Sequence, residues 1–308
     1  MLRALFAAAL ALSLLALAGC GDDEAGNTGR FAVTATTTQV ADLARNVGGN
    51  RVDVTGLLAA NADPHEYEPR PDDVKALAES KLVLRSGGDL DEWLADAIES
   101  AGGDAEVVSL IDSVEPLREG GSTDPHWWQD PHNAELAVIT IRDALTKADP
   151  DGRAAFAANT DAYIAKLRAL DRAVATCLDG IPRAERKLVT THDALGHYAR
   201  RYGIEVIGTV IPSLSTQGQP SAGETAKLID TIKRERVRAI FAESSVNAKV
   251  EQAIARETGA KIGKPLWADT LGPKGSDGAT YLESIAANTQ ALVAGFTGGA
   301  RSCELPRN

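Results

Sequence analysis

Residues 153–177, RAAFAANTDAYIAKLRALDRAVATC, contain neither glycine nor proline. Apolar side chains recur along this stretch largely at three- and four-residue steps, at Phe156, Tyr163, Leu167, Leu170 and Val174. Spacing of this kind is typical of an amphipathic helix. Turn-forming residues flank the stretch, with DPDG before it and GIP after it. We therefore predict one long connecting helix within residues 149–181.

On both sides of this helix the sequence alternates between β-branched runs and helical segments. Residues 30–148 contain four runs that favour strands, and residues 182–308 contain four more. Such alternation predicts βα units and parallel sheets that helices cover on both faces. The fold class is therefore α/β, with an N-terminal lobe at 30–148 and a C-terminal lobe at 182–308. Ligands bind outside the C-terminal ends of strands in such sheets, so we expect a site in the cleft between the lobes.

The first residues have the features of an export signal. A short positive start precedes an apolar run from Ala4 to Leu17, which is shorter than the ~20 residues of a spanning helix. The run ends in LAGC, which resembles a bacterial lipobox. We predict a lipoprotein signal peptide at 1–19, lipidation of Cys20 and a polar tether at 20–29, which together would anchor the exported chain on the outer face of the cytoplasmic membrane. A plain secretory peptide with a chance cysteine is the alternative.

Charge excludes one class of partner. The formal net charge of −11 and the pI near 5.0 argue against nucleic-acid binding, because no basic stripe is present to neutralise phosphates. An acidic surface is compatible with a cationic cargo, although ordinary solvation explains it equally well. We expect a monomer.

Two cysteines remain once Cys20 carries lipid. Cys177 and Cys303 form an even pair in an exported chain, which favours one disulfide over two free thiols. The bond would tie the C-terminal tail to the end of the long helix.

An Asp-Pro-His triplet occurs three times, at 63–65, 124–126 and 130–132. Proline fixes its own φ and pushes the preceding residue toward extended or turn geometry, so each triplet should form a stiff corner. The aspartate can brace such a turn by accepting a hydrogen bond from the backbone. A histidine held on a rigid corner loses little freedom when it binds a ligand.

Four residues follow predicted strands and lie near turns, two in each half of the chain: His65, His126, His192 and Asp269. They converge only if the halves face each other across a cleft. Three imidazoles and one carboxylate suit zinc, and also manganese or another divalent transition metal. Taken singly, each residue could be an ordinary capping or surface residue. That alternative does not explain why all four fall at corresponding edges of both halves.

The segments that contain these residues resemble the metal-site motifs of the zinc/manganese-binding solute-binding lipoproteins of ABC importers. The segments are Asn61-Ala62-Asp63-Pro64-His65-Glu66-Tyr67-Glu68-Pro69, Asp124-Pro125-His126-Trp127-Trp128, Thr190-Thr191-His192-Asp193-Ala194 and Leu266-Trp267-Ala268-Asp269-Thr270-Leu271-Gly272. The resemblance covers nearly the whole mature chain, with the motifs in the family's order. It implies two α/β lobes joined by one long helix, a metal buried between them, ligand roles for His65, His126, His192 and Asp269, and an importer permease as partner.

Four further residues are candidates for bracing the ligands: Asp63, Asp124, Glu243 and His132. Glu243 lies at a strand end and could orient an imidazole, although capping the following helix is equally compatible with its position. We interpret His132 as structural or bracing rather than as a ligand. His197 lies roughly 140° around a helix from His192, so a packing or surface role is expected for it.

The leading interpretation is a binding protein, not an enzyme, that captures a divalent metal and delivers it to an importer. Imidazole favours zinc over manganese, which a second carboxylate would suit better. The histidine-rich loop of many zinc members of the family is missing from Ile111–Thr123, which removes one argument for zinc. A surface metallohydrolase is one alternative, but the chain has no His-Glu-x-x-His motif and four ligands leave little room for substrate. A metal-containing adhesin is the other alternative function. The sequence alone assigns no role to the polar loop at 213–219.

Overall fold

The computed structural model describes residues 30–119 and 121–307. The predicted signal peptide, the predicted lipidation site Cys20 and the predicted tether up to residue 29 lie outside the described residues. Within the described ranges, no helix is long and apolar enough to cross a membrane.

The N-terminal lobe is built on a four-stranded parallel sheet with the order β2-β1-β3-β4. The strands are β1 (Phe31–Ala35), β2 (Val52–Gly56), β3 (Leu82–Arg85) and β4 (Glu106–Ser109). The central strands bury Val33, Ala35, Leu82, Val83 and Leu84 almost completely. Parallel sheets require such cover on both faces. A short antiparallel hairpin of β5 (Arg118–Glu119) and β6 (Ser122–Thr123) follows.

Four helices complete this lobe: α1 (Thr38–Gly48), α2 (Pro71–Glu79), α3 (Leu94–Ala101) and α4 (Pro131–Ala148). Their starts follow local chemistry. The Thr37 hydroxyl accepts the Val40 N–H at the start of α1, and Pro71 is the first residue of α2. Asp130 caps α4 by accepting the N–H of His132. The third Asp-Pro-His triplet is therefore the beginning of a helix.

The long helix α5 (Arg153–Asp179) buries one apolar stripe, formed by Phe156, Thr160, Tyr163, Leu167, Leu170, Val174 and Leu178. This stripe contains every residue from which the helix was predicted. The helix packs against α1 and α4 of the N-terminal lobe and against the last helix of the C-terminal lobe. It therefore lies along both lobes.

The C-terminal lobe contains parallel pairs of strands, β7 (Lys187–Thr190) with β8 (Glu205–Thr209) and β9 (Ala239–Ile240) with β10 (Lys261–Ile262). A parallel bridge from Thr190 to Phe241 joins the pairs. Its helices are α6 (Gly196–Tyr202), α7 (Ala222–Glu235), α8 (Lys249–Thr258) and α9 (Tyr281–Phe296). Strand β10 ends at Ile262. Pro265 lacks the N–H that a longer ladder requires, and pairing resumes only at an isolated bridge from Leu266 to Glu243.

A disulfide joins Cys177, in the last turns of α5, to Cys303 in the C-terminal tail, with 6.0 Å between the Cα atoms. The bond closes a separation of 126 residues. It holds the tail, which follows α9, against the connecting helix.

Candidate metal centre

His65 lies on a rigid corner after β2. Pro64 begins a short 3-10 turn, and the Asp63 carboxylate accepts the N–H of His65 at 2.9 Å. This is the local structure that the triplet predicts. The imidazole is directed inward, because the side chain of His65 is only 6% exposed.

His126 is held more tightly by the second triplet. One oxygen of Asp124 accepts the His126 backbone N–H at 2.9 Å and lies 2.7 Å from the ring Nδ1. Burial opposes the charge on Asp124, but the bonds from His126 outweigh burial and hold the pKa of Asp124 below its usual value. Trp128 packs edge-on against the imidazole, with 5.5 Å between ring centroids. Because Nδ1 is engaged, Nε2 is the atom that faces the site.

His192 follows β7 and has an equivalent brace in its own lobe. Glu243 places one carboxylate oxygen 2.7 Å from Nδ1 of His192, and the same oxygen accepts the His192 N–H at 3.1 Å. Glu243 is thus bonded to the imidazole, while α8 is preceded by Ala248 and has no side-chain cap. Burial raises the pKa of Glu243.

The four ligand atoms of His65, His126, His192 and Asp269 all lie within 4.8 Å of one another. Nε2 of His126 is 3.4 Å from Nε2 of His65 and 3.3 Å from Nε2 of His192. The Asp269 carboxylate lies 3.4 Å from the Nε2 atoms of His65 and His126 and 3.3 Å from that of His192. A separation of 3.3–3.4 Å is the one expected between two ligand atoms that each lie about 2.0–2.1 Å from a tetrahedral zinc ion.

The electrostatics of the cluster call for a cation. Asp269 is fully buried, and neither of its carboxylate oxygens makes a hydrogen bond within the described residues. Burial alone would raise the pKa of Asp269, but the three imidazoles outweigh burial and lower it. Burial disfavours a charged His192, but Asp269 and Glu243 reverse this effect and raise the pKa of His192 to about 9. A divalent ion bound here would supply the positive charge that these two carboxylates favour.

The remaining predicted residues have different surroundings. His132 is exposed at the start of α4, and its prediction as a ligand brace is therefore wrong. His197 is fully buried, and its Nδ1 lies 3.1 Å from the amide of Asn133. The indole N–H of Trp127 bonds to Ser86 in the lobe core.

Sequence reasoning missed the residues that connect the two sides of the site. Trp128 and Gln129 donate hydrogen bonds to the carbonyl of Ala268, next to Asp269. Thr216 and Gln217 contact the His65 corner from the C-terminal lobe. Two features of the sequence could have indicated these residues. Trp128 and Gln129 closely follow the Asp-Pro-His triplet of His126, and Thr216 and Gln217 lie in the polar loop at 213–219.

A cavity of about 760 Å³ opens beside the cluster. Both lobes line it, with His65, Trp93 and Pro125 on one side and Ser213 and Gln217 on the other. Asp89 and Glu92 also line this cavity. Acidic groups at such an entrance favour the approach of cations.

Two parallel-sheet lobes, one connecting helix and a buried His₃Asp cluster between them define the class of two-lobed metal receptors. Residues 33–295 match the family described as ZnuA, zinc-uptake complex component A, periplasmic. The chain belongs to this family.

Named relatives cover almost the whole chain. The manganese-binding lipoprotein MntA of Bacillus subtilis is 34% identical over 89% of this chain and 93% of its own length. The protein of the same name from Halalkalibacterium halodurans is 29% identical, over 96% of this chain and 100% of its own. The periplasmic zinc-binding protein TroA from Treponema pallidum superposes with a TM-score of 0.81 at 28% identity, over 87% of this chain and 99% of that one. The family consists of receptors of importers, so the metallohydrolase alternative is set aside.

Proposed function

We propose that this protein captures a divalent transition metal outside the cytoplasm and delivers it to the permease of an ABC importer. The ligands are His65, His126, His192 and Asp269, and Asp63, Asp124 and Glu243 orient the first three of these side chains. The convergence of four ligand atoms within 4.8 Å in a buried site carries the proposal. Coordination is the whole of the chemistry, because capture and release require no bond to be made or broken in a substrate.

The protein works as a monomer that lipid on Cys20 holds at the outer face of the cytoplasmic membrane. Two relatives named as lipoproteins support this location. The tether up to residue 29 would let the lobes reach the importer while the lipid stays in the membrane.

Zinc is the cargo that the site chemistry favours. Three imidazole ligands, and ligand atoms that lie 3.3–3.4 Å apart, suit a tetrahedral zinc ion. Manganese is the second candidate, because the two relatives are named for manganese and both oxygens of Asp269 lie near ring nitrogens. Most sites bind zinc more tightly than manganese, so affinity alone does not identify the cargo.

Metal content and uptake test the proposal together. The protein purified from its own host should contain zinc, and deletion of the gene should reduce zinc accumulation by the cells. Accumulation of manganese alone through this system would overturn the choice of zinc. Unchanged uptake of every metal by the deletion strain, with metal still bound to the protein, would instead support the adhesin alternative.

A further inference from the structure

The Asp269 segment comes from the C-terminal half of the sequence but is bonded to the N-terminal lobe. The carbonyl of Ala268 accepts the indole N–H of Trp128 at 3.0 Å and the amide N–H of Gln129 at 2.6 Å. Both donors belong to the segment that carries His126. One short stretch of chain therefore fixes His126 and also the residue that precedes Asp269.

The other flank of Asp269 is bonded to the same lobe. The backbone N–H of Asn61 is 3.0 Å from the Thr270 hydroxyl and 3.0 Å from the Leu271 carbonyl. The N–H of Leu271 donates to the Thr38 hydroxyl at 2.8 Å. The chain is still bonded to its own lobe at Trp267, whose N–H donates to Asn288. It crosses to the N-terminal lobe at Ala268.

His192 is attached to the opposite side. Its brace, Glu243, lies in the C-terminal lobe. The neighbouring Asp193 donates its N–H to the carbonyl of Ser213 at 3.0 Å, and Ile211 donates to Thr191 at 2.7 Å. His192 is therefore tied to the loop at residues 213–217, and the two should move as one unit.

This loop spans the cleft to the His65 corner. The Thr216 hydroxyl donates to Asp63 at 2.7 Å, and the amide of Gln217 donates to the carbonyl of His65 at 2.5 Å. The Asp63 carboxylate bonded to Thr216 also accepts the N–H of His65. Both bonds therefore join the loop that is tied to His192 to the corner that carries His65.

We propose that the metal ligands divide three to one, with His65, His126 and Asp269 on the N-terminal lobe and His192 alone on the side that moves. This inference rests on the proposed function. Release begins when His192 and the loop at 213–217 withdraw together, which leaves an incomplete three-ligand set open to solvent. Thr216 and Gln217 are positioning residues, because their bonds must break before His192 can leave.

Release kinetics test the role of the loop. Zinc-loaded protein is mixed with an excess of a chromogenic chelator, and the dissociation rate is measured by stopped flow. Thr216→Val and Gln217→Ala each remove one cross-cleft bond, and each should speed dissociation about fivefold with little change in the association rate. Thr216→Ser keeps the hydroxyl and should release zinc at the wild-type rate. Gln219→Ala is the matched control, because Gln219 is exposed in the polar loop at 213–219 but lies outside residues 213–217.

Equilibrium affinities test the division itself. His192→Ala leaves three ligands on one lobe, whereas His65→Ala leaves two on that lobe and one across the cleft. The His192 variant should therefore bind zinc at least about tenfold more tightly than the His65 variant. Equal affinities, or dissociation rates of the loop variants within twofold of wild type, would overturn the inference while leaving metal capture intact. A wild-type protein that binds neither zinc nor manganese would overturn the proposed function as well.

Discussion

His126 and His192 each direct Nδ1 toward a carboxylate oxygen at 2.7 Å, that of Asp124 and that of Glu243. This bond fixes the orientation of the ring and makes Nε2 a better electron donor. The Nε2 atoms of the two rings lie 3.3 Å apart in a buried site. Two lone pairs at that distance repel each other, so a proton or a metal ion between them lowers the free energy.

The zinc affinities of two alanine variants distinguish the role of His126, in the second triplet, from that of His132, in the third. His126→Ala removes one of the four proposed ligands and should weaken zinc binding by at least about a hundredfold. His132→Ala should leave the affinity within twofold, because His132 is exposed on α4. Competitive titration against a chelator measures both values. Equal losses of zinc affinity in the two variants would contradict the assignment of His126, rather than His132, as the ligand.

Replacement of a brace should have a smaller effect. Glu243→Ala leaves His192 in place but removes the acceptor for its Nδ1 proton, so zinc affinity should fall about ten- to a hundredfold. Glu251→Ala is the matched control, since Glu251 is another buried glutamate of the same lobe and bonds to the Thr191 hydroxyl. A similar loss in both variants would indicate a general disturbance of the lobe rather than the loss of a brace.

At the scale of elements, α5 is locked to both lobes by polar contacts as well as by its apolar stripe. Asp171 of α5 accepts bonds of 2.6 Å from both the Nε and the terminal amino group of Arg201 in α6. Arg201 also lies 3.2 Å from Asp130, which caps α4. One arginine therefore joins the connecting helix, the first helix of the C-terminal lobe and the metal-site segment. Such a joint favours a small rocking motion over wide opening.

A second joint contains a titratable group with a shifted pKa. Asp42 of α1 accepts the N–H of Tyr281, the first residue of α9, at 3.1 Å and the hydroxyl of Tyr163 in α5 at 3.4 Å. Burial raises the pKa of Asp42 to about 6, although these two bonds and Arg45 oppose the shift; Glu283 adds to it. The folded protein therefore holds this proton more tightly than the unfolded chain does.

The sign of the pH effect follows from that shift. The stability that Asp42 contributes is fully present below its unfolded pKa, near 3.8, and is lost as the pH rises through about 6. Asp42→Asn stays neutral and keeps an acceptor for Tyr281. Between pH 4 and pH 7 the free energy of unfolding of metal-free wild type should fall relative to that of the variant by about 2 kcal/mol. Urea denaturation at several pH values measures the difference, and a difference that does not change with pH would contradict the assignment.

For the whole molecule, the sequence predicted the architecture because the spacing of apolar residues and the positions of glycine and proline act on local structure. The apolar steps of α5 and the alternation on either side of it depend on near neighbours in the chain, and the structure follows both. The three Asp-Pro-His triplets were predicted as stiff corners for the same reason. The local sequence did not distinguish the third triplet, which begins a helix, from the first two, because in all three the aspartate accepts the histidine N–H; the exposure of His132 depends on the packing of α4.

Contacts between distant parts of the chain were beyond sequence reasoning for a different reason. The partners of Asp63 and of Ala268 lie 153 and about 140 residues away in the chain, at Thr216 and Trp128. Nothing in the local sequence of Asp269 indicates that its flanks bond to the opposite lobe. Such pairings depend on how the two lobes close along α5, and only the folded chain reveals them.

Anomalous X-ray scattering from crystals grown with zinc tests the central claim most directly. The claim is that His65, His126, His192 and Asp269, which come from both halves of the chain, hold one metal ion between the lobes. The predicted result is a single strong peak at the zinc edge, about 2.0–2.2 Å from Nε2 of His65, His126 and His192 and from the Asp269 carboxylate. A peak at another site, or an ion bound by residues of one lobe alone, would contradict it.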